Sequence, residues 1–475
     1  MLKSFIKENY PLLIAVIVFI ALLFPYWGIL PYLDGNIDLV QAKDFYEGSY
    51  RQLFNNWRSI HPPVKVWLVS GAFKIFGVYP EVYSTIGMVF GLIGLTSLWQ
   101  LLKDKFNRFG ASLAVLLFAS YPIVLANGLF AMPDFMLACL LPLVFYLYKA
   151  RKIFLLTIVL VICSLIKETA LLLPASILLT ELIYFFAGLF TKKKALIQKI
   201  IPILLLIIPF IIFFVWHDFL SQSGKDVWSD WIFTDNPEIG SLQLVLRNIF
   251  TLGFINEFAF QNWAHLFILN YNWVFWIIIL IAASYSLWQM GFQHKSNIFS
   301  KLKRGTATTK VIISAIIFFL IYCVAVLSFQ TYTITRYVLP VIPLMLIATA
   351  GALSKLSNLL PYGKWIISIL LIPFLITILF YSNDFISTSI WGTTEIAGKD
   401  YYSLHQHLSG NDGLVYNLQS ASLAKLRSEI VIAAYQENRA LISKSCDWMF
   451  PDPNNDFPML DFFKLNAVSK QCVQY

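Results

Sequence analysis

The side chains of this 475-residue chain that could do chemistry are few, and most stand at the ends of apolar runs. Asp34, in Leu33-Asp34-Gly35-Asn36, follows the aromatic close of the first run. A carboxylate at that boundary can face an aqueous cavity and still reach a substrate carried in lipid. An Asp ahead of a helical stretch is also a helix cap, a duty Asn36 or Asp38 could take instead. His61-Pro62-Pro63 holds an imidazole on a rigid turn with Lys65 just behind it; the ring could meet a phosphate or simply fix the turn. Asp134 follows a proline in Ala131-Met132-Pro133-Asp134, Lys167-Glu168 stands between two apolar runs, and Arg336-Tyr337 opens another. Each has a plain reading, since Asp caps, Lys snorkels and Arg anchors at an interface. The cations equally suit a phosphorylated substrate, a guanidinium in bidentate fashion. Glu181 lies inside an apolar run and is expected to pair within the protein. There is no phosphate-cradling Gly loop, no Gly-x-Ser-x-Gly elbow and no His-Glu-x-x-His, and His405 with His407 lacks a third metal ligand.

The elements that hold these residues belong in a bilayer. Hydrophobic residues make up 58% of the chain and charged residues 13%. That charged share is half the roughly 25% of soluble domains, too little to clothe a water-facing surface of this size. The formal charge of +9 is spread among apolar segments and forms no basic face, which excludes a nucleic-acid binder. A transmembrane helix takes about 20 apolar residues. Eleven stretches qualify: 11–30, 82–101, 111–127, 132–148, 153–166, 169–190, 200–216, 272–290, 311–329, 337–353 and 365–381. Residues 64–78 are fewer, follow Pro62-Pro63 and carry Lys65 and Lys74, so they are expected to lie in the interface. With that choice and a cytoplasmic N-terminus, nineteen Lys and Arg fall in inner connections against Glu8 and Asp104, as positive-inside bias requires. Counting 64–78 as a span would move Lys192–Lys194 outside.

Three long segments then share the outer side: 31–81, 217–271 and the tail from 382. Long connections in a compact bundle usually carry function, so the chemistry is expected outside. Asp34, Asp134 and Glu168 all fall at outer-leaflet depth on different elements, as the acids of one cleft would. The first apolar run has no small-residue cleavage pattern after it and is expected to remain as a span. Residues 1–381 form the membrane domain, in which residues 38–57 alternate aromatic and charged side chains at helical spacing. Residues 382–475 form a small extracytoplasmic domain. The Gly410-Asn411-Asp412-Gly413 turn and the β-like Leu414-Val415-Tyr416 make that domain mixed α/β, and Cys446 and Cys472 could pair there in an oxidising compartment. The expected fold class is an all-α polytopic membrane protein of eleven spans with outer-face amphipathic helices and this α/β tail.

Taken in order, the motifs resemble those of the GT-C glycosyltransferases. They are Asp34-Gly35; His61-Pro62-Pro63-Val64-Lys65-Val66-Trp67 ahead of Phe76-Gly77; Asp134 after its proline; Lys167-Glu168-Thr169-Ala170 with Leu173-Pro174; and Arg336-Tyr337-Val338-Leu339-Pro340. The similar branch holds protein O-mannosyltransferases, lipid A aminoarabinose transferases and bacterial polyprenyl-phosphate-sugar transferases. The resemblance runs from the first span to about residue 355. It implies a bundle whose cavity opens outward beneath 31–81 and 217–271. A polyprenyl-phosphate sugar, on undecaprenyl phosphate in bacteria, would arrive from the lipid. A hydroxyl of lipid A, O-antigen, another glycan or a protein would approach from outside.

Asp34 matches the family's catalytic acidic position and would take the acceptor proton in an inverting displacement. The family often has Asp-Glu where this chain has Asp34-Gly35. His61, Lys65, Lys167 and Arg336, with Tyr337 beside it and Arg247 in support, would stabilise the leaving phosphate. Asp134 and Glu168 would orient sugar hydroxyls or those cations. A lipid phosphate already leaves well, so no cofactor is required, although some branches of the family use a divalent metal. A composition rich in Ile, Phe, Lys and Asn suggests a bacterial inner (plasma) membrane, with membrane lipids as surroundings. The competing reading is a transporter or flippase of a lipid-linked sugar. Related halves with Gly/Pro-broken helices would mark one, whereas here the polar residues gather at one face.

Overall fold

The computed structural model describes residues 2–28, 39, 41–43, 45–48, 62–104, 106–129, 131–189, 196–222, 251, 271, 273–292, 306–327, 335–380, 395–396 and 399–400. The membrane part is helical. In chain order the helices are α1 Leu2–Leu23, α2 Val64–Phe76, α3 Pro80–Leu102, α4 Arg108–Ser120, α5 Pro122–Gly128, α6 Pro133–Lys149 and α7 Ile153–Ser164. They continue as α8 Leu172–Leu189, α9 Leu196–Gln222, α10 Trp273–Phe292, α11 Ala307–Leu327, α12 Ile342–Ser357 and α13 Gly363–Phe380. Tighter 3₁₀ segments occupy Phe24–Tyr26, Glu168–Leu171 and Thr335–Val341. In the tail, Glu395 pairs with Asp400 and Ile396 with Lys399 as two short antiparallel strands. The rest of 382–475, with His405, His407, Cys446 and Cys472, lies outside the described residues, as do Lys192–Lys194.

A helix falls on each apolar stretch read from the sequence. Among the described residues six helices are long and apolar enough to cross a membrane by length and composition, among them Pro80–Leu102 and Ala307–Ala325, and four shorter apolar helices accompany them. The stretch expected as one span over 111–127 is two helices, α4 and α5. The cause is Pro122, which has no N–H to continue the ladder and forces the preceding residue out of helical geometry. Tyr121 sits accordingly at φ −72 and ψ 127.

Side chains facing out of the bundle are apolar and exposed, as at Ile17, Phe154, Leu204 and Trp365. Exposed apolar surface on this scale is stable only against lipid, and helices satisfy the backbone internally, as a bilayer demands. The chain is an integral membrane protein.

Inside, α3 packs along α6, α4 lies between α1 and α12, and α8 packs on α11. Glycine permits the close crossings: a Cβ on Gly91 would stand 2.3 Å from the Phe19 ring of α1, and one on Gly94 would stand 3.1 Å from the Cα of Cys139 on α6. α2 lies against α3 and buries Val66, Val69, Ser70 and Phe73 while leaving Ile75 and Phe76 exposed. Residues 41–43 and 45–46 of the preceding segment are helical, with Leu39 and Ala42 buried.

Candidate active site

The motifs, far apart in sequence, converge at one end of the helices. Pro62-Pro63 starts α2, whose first residue, Val64, donates its N–H to the Leu165 carbonyl at 3.0 Å. The turn carrying Lys65 is thereby tied to the turn carrying Lys167. Lys65 is 1% exposed, and its Nζ lies 3.9 Å from the Met132 Sδ, next to Pro133-Asp134. Pro133 occupies the first helical position of α6, where its missing N–H is no loss, and Asp134 stands in the first turn. There the helix dipole favours a carboxylate.

Lys167 ends α7 by donating its backbone N–H to the Cys163 carbonyl, then takes an extended conformation, φ −152 and ψ 139, ahead of the 3₁₀ turn Glu168–Leu171. That conformation turns its side chain onto α6. Lys167 Nζ meets Asp134 Oδ1 at 2.5 Å, with the two side chains 5% and 1% exposed. Charges so buried persist only when paired. The same ammonium lies over the Tyr337 ring, 5.0 Å from its centre, a cation–π contact that strengthens where water is excluded.

The structure thus brings Lys65, Asp134, Lys167 and Tyr337 together, with Glu168 half-buried beside Lys167. Arg336 is in the same 3₁₀ segment as Tyr337. Asp34, His61 and Arg247 lie outside the described residues. The chain leaving α1 is anchored, however. Trp27 Nε1 donates to the Glu81 carbonyl at 3.0 Å and to Thr85 Oγ1 at 3.1 Å. Gly28 follows at φ +86, where any Cβ would press on Glu81 at 3.2 Å. Among the described residues no three His, Cys, Asp or Glu side chains gather as a metal site.

One member was not singled out by sequence. Tyr322 of α11 donates its hydroxyl to the Tyr337 carbonyl at 2.7 Å and is 1% exposed. The available signal was a lone phenol in an apolar run, since a buried Tyr hydroxyl needs a partner.

Residues 60–217 match the family described as dolichyl-phosphate-mannose-protein mannosyltransferase. That stretch includes the Lys65, Asp134 and Lys167 motifs. The apo crystal structure of ArnT from Cupriavidus metallidurans shares the fold, with a TM-score of 0.51 at 14% identity over 91% of this chain and 79% of that one. The family match thus covers residues 60–217, and the fold is similar to that of ArnT. ArnT bound to undecaprenyl phosphate gives a TM-score of 0.48 at 14% identity, covering 95% of this chain and 75% of that one. The apo oligosaccharyltransferase of Archaeoglobus fulgidus gives 0.48 at 13% identity over 99% of this chain and 61% of that one. No curated protein matches the sequence. In this chain the fold brings the 62–65, 131–134, 165–168 and 335–340 motifs to one locus.

Proposed function

We propose that this transferase moves a sugar from a polyprenyl-phosphate donor to a hydroxyl of a cell-envelope acceptor on the outer face of the inner membrane. The observation that carries the reading is the buried Asp134–Lys167 pair with Lys167 over Tyr337. It sets a desolvated cation at the meeting point of four motif segments. Low dielectric strengthens such a charge for a leaving phosphate. The family matched over residues 60–217 is itself described by a phosphate-linked sugar donor.

The reaction is an inverting displacement. The acceptor oxygen bonds to the anomeric carbon, the bond from that carbon to the phosphate oxygen breaks, and the electron pair stays on the lipid phosphate. Asp34 takes the acceptor proton. Lys65, Lys167, His61 and Arg336 neutralise the phosphate as its charge rises, with Tyr337 supporting Lys167. Asp134 and Glu168 hold the cations and sugar hydroxyls in place. No metal is required for a leaving group of this quality.

The eleven spans, the outward-facing site, the membrane domain 1–381 and the extracytoplasmic domain 382–475 belong to the same proposal. It is tested by incubating the purified protein with a panel of radiolabelled polyprenyl-phosphate sugars and membrane acceptors. One donor is expected to give transfer with inverted configuration, and Asp34→Asn to lower the rate at least about 100-fold, the low end of general-base contributions. Full activity in Asp34→Asn would remove the assigned base.

A further inference from the structure

We propose that Tyr322 is a positioning residue for the donor phosphate, holding the Arg336-Tyr337 turn in register with Lys167 through one hydrogen bond. In a 3₁₀ turn the carbonyl of residue i accepts from the N–H of residue i+3. For Tyr337, in the segment Thr335–Val341, that donor position is 340, and residue 340 is proline. Proline has no N–H to give. A backbone carbonyl away from water is costly to leave without its donor. The Tyr322 hydroxyl supplies one from the adjacent helix, at 2.7 Å.

The donor is itself fixed. Tyr322 is 1% exposed and packs on Phe318 with ring centres 5.7 Å apart. The bond also lands where it matters for the site. Its acceptor belongs to the residue whose ring lies under the Lys167 ammonium, and Arg336 is the residue before it. One hydroxyl of α11 therefore completes the turn that presents Tyr337 by giving its carbonyl a donor. This role rests on the donor reading proposed above.

Tyr322→Phe keeps the packed ring and removes only the bond. Pro340→Ala returns a backbone N–H at the position where 3₁₀ geometry wants it, so it offers a rescue that a purely structural tyrosine would not show. The full-length protein in detergent is titrated with undecaprenyl phosphate and, separately, with undecaprenol. Tyr322→Phe is expected to bind undecaprenyl phosphate roughly tenfold more weakly, the weight of one ordinary hydrogen bond, and undecaprenol unchanged. Adding Pro340→Ala is expected to restore most of the phosphate affinity.

Equal loss for both lipids, or unchanged affinity for undecaprenyl phosphate, overturns the role of Tyr322. A loss that Pro340→Ala fails to restore overturns the route through the Tyr337 carbonyl. If the wild type does not prefer undecaprenyl phosphate to undecaprenol, the donor reading falls and the role of Tyr322 with it. If the wild type prefers the phosphate and Tyr322→Phe does so equally, only Tyr322 is removed.

Discussion

Asp134 and Lys167 each carry a charge into a place that excludes water, so neither is tolerable without the other. Breaking a buried pair by removing one partner costs about 3–5 kcal/mol, whereas replacing both by apolar residues of similar volume is often neutral. Lys167→Met is therefore expected to lower the unfolding midpoint strongly, and Asp134→Leu combined with Lys167→Met to recover most of it. Transfer activity should not recover with stability, because the double variant has lost the cation assigned to the phosphate. Thermal unfolding and sugar transfer on the same samples separate the two effects, and a double variant both stable and active would reduce the pair to a structural brace. The sequence made Asp134, Lys167 and Tyr337 individually conspicuous, since ionisable groups at membrane depth are expensive. Their pairing was not legible. Asp134 and Lys167 are 33 positions apart on separate apolar runs, and apolar periodicity does not say which runs become neighbours. Tyr322 was hidden for a related reason: its function lies in the backbone carbonyl it meets, and that follows from proline chemistry in another element.

Among the elements, Glu181 shows how an expectation from hydropathy becomes a specific contact. A carboxylate inside an apolar run had to pair, and it does so twice. Lys310 Nζ on α11 lies 2.5 Å from Oε2, and the Tyr148 hydroxyl on α6 donates to Oε1 at 2.7 Å. Nearby, Ser314 of α11 donates to Thr180 of α8 at 2.8 Å. This clamp joins α6, α8 and α11 at the other end of α6 from Asp134. Glu181→Gln keeps an acceptor for Tyr148 and leaves Lys310, partly open to solvent, to relax outward. It is expected to lower stability by about 1–2 kcal/mol, the range for a charged hydrogen bond only partly lost. The Km for the lipid donor should stay unchanged, and a large rise in that Km would join the clamp to the active site. Helix positions were legible because runs of Ile, Leu and Phe this long admit little else. Helix interruptions were less so: the break at Tyr121-Pro122 and the 3₁₀ entry at Thr335–Val341 both depend on how a proline's lost bond is absorbed. That depends on the neighbours.

For the molecule as a whole, composition alone already required a bilayer, and the exposed apolar belt of the helices agrees with it. The proposed orientation puts nineteen Lys and Arg inside against two acids. It predicts that, with the five native cysteines replaced, Lys193→Cys stays unlabelled by a membrane-impermeant thiol reagent in spheroplasts while Lys225→Cys is labelled; the reverse pattern would invert the topology. The family was legible because its motifs are local in sequence and ordered along the chain. The acceptor was not, because the composition of the long segments 31–81, 217–271 and 382–475 names no partner. The central claim is that the convergent cations serve a lipid-phosphate leaving group. It is tested most directly by a single turnover of purified protein with a radiolabelled polyprenyl-phosphate sugar and its acceptor, measuring transferred sugar and free polyprenyl phosphate together. The predicted result is one polyprenyl phosphate released per sugar transferred. Label that stays on the lipid with every donor, or that crosses the membrane still attached to it, would contradict the claim.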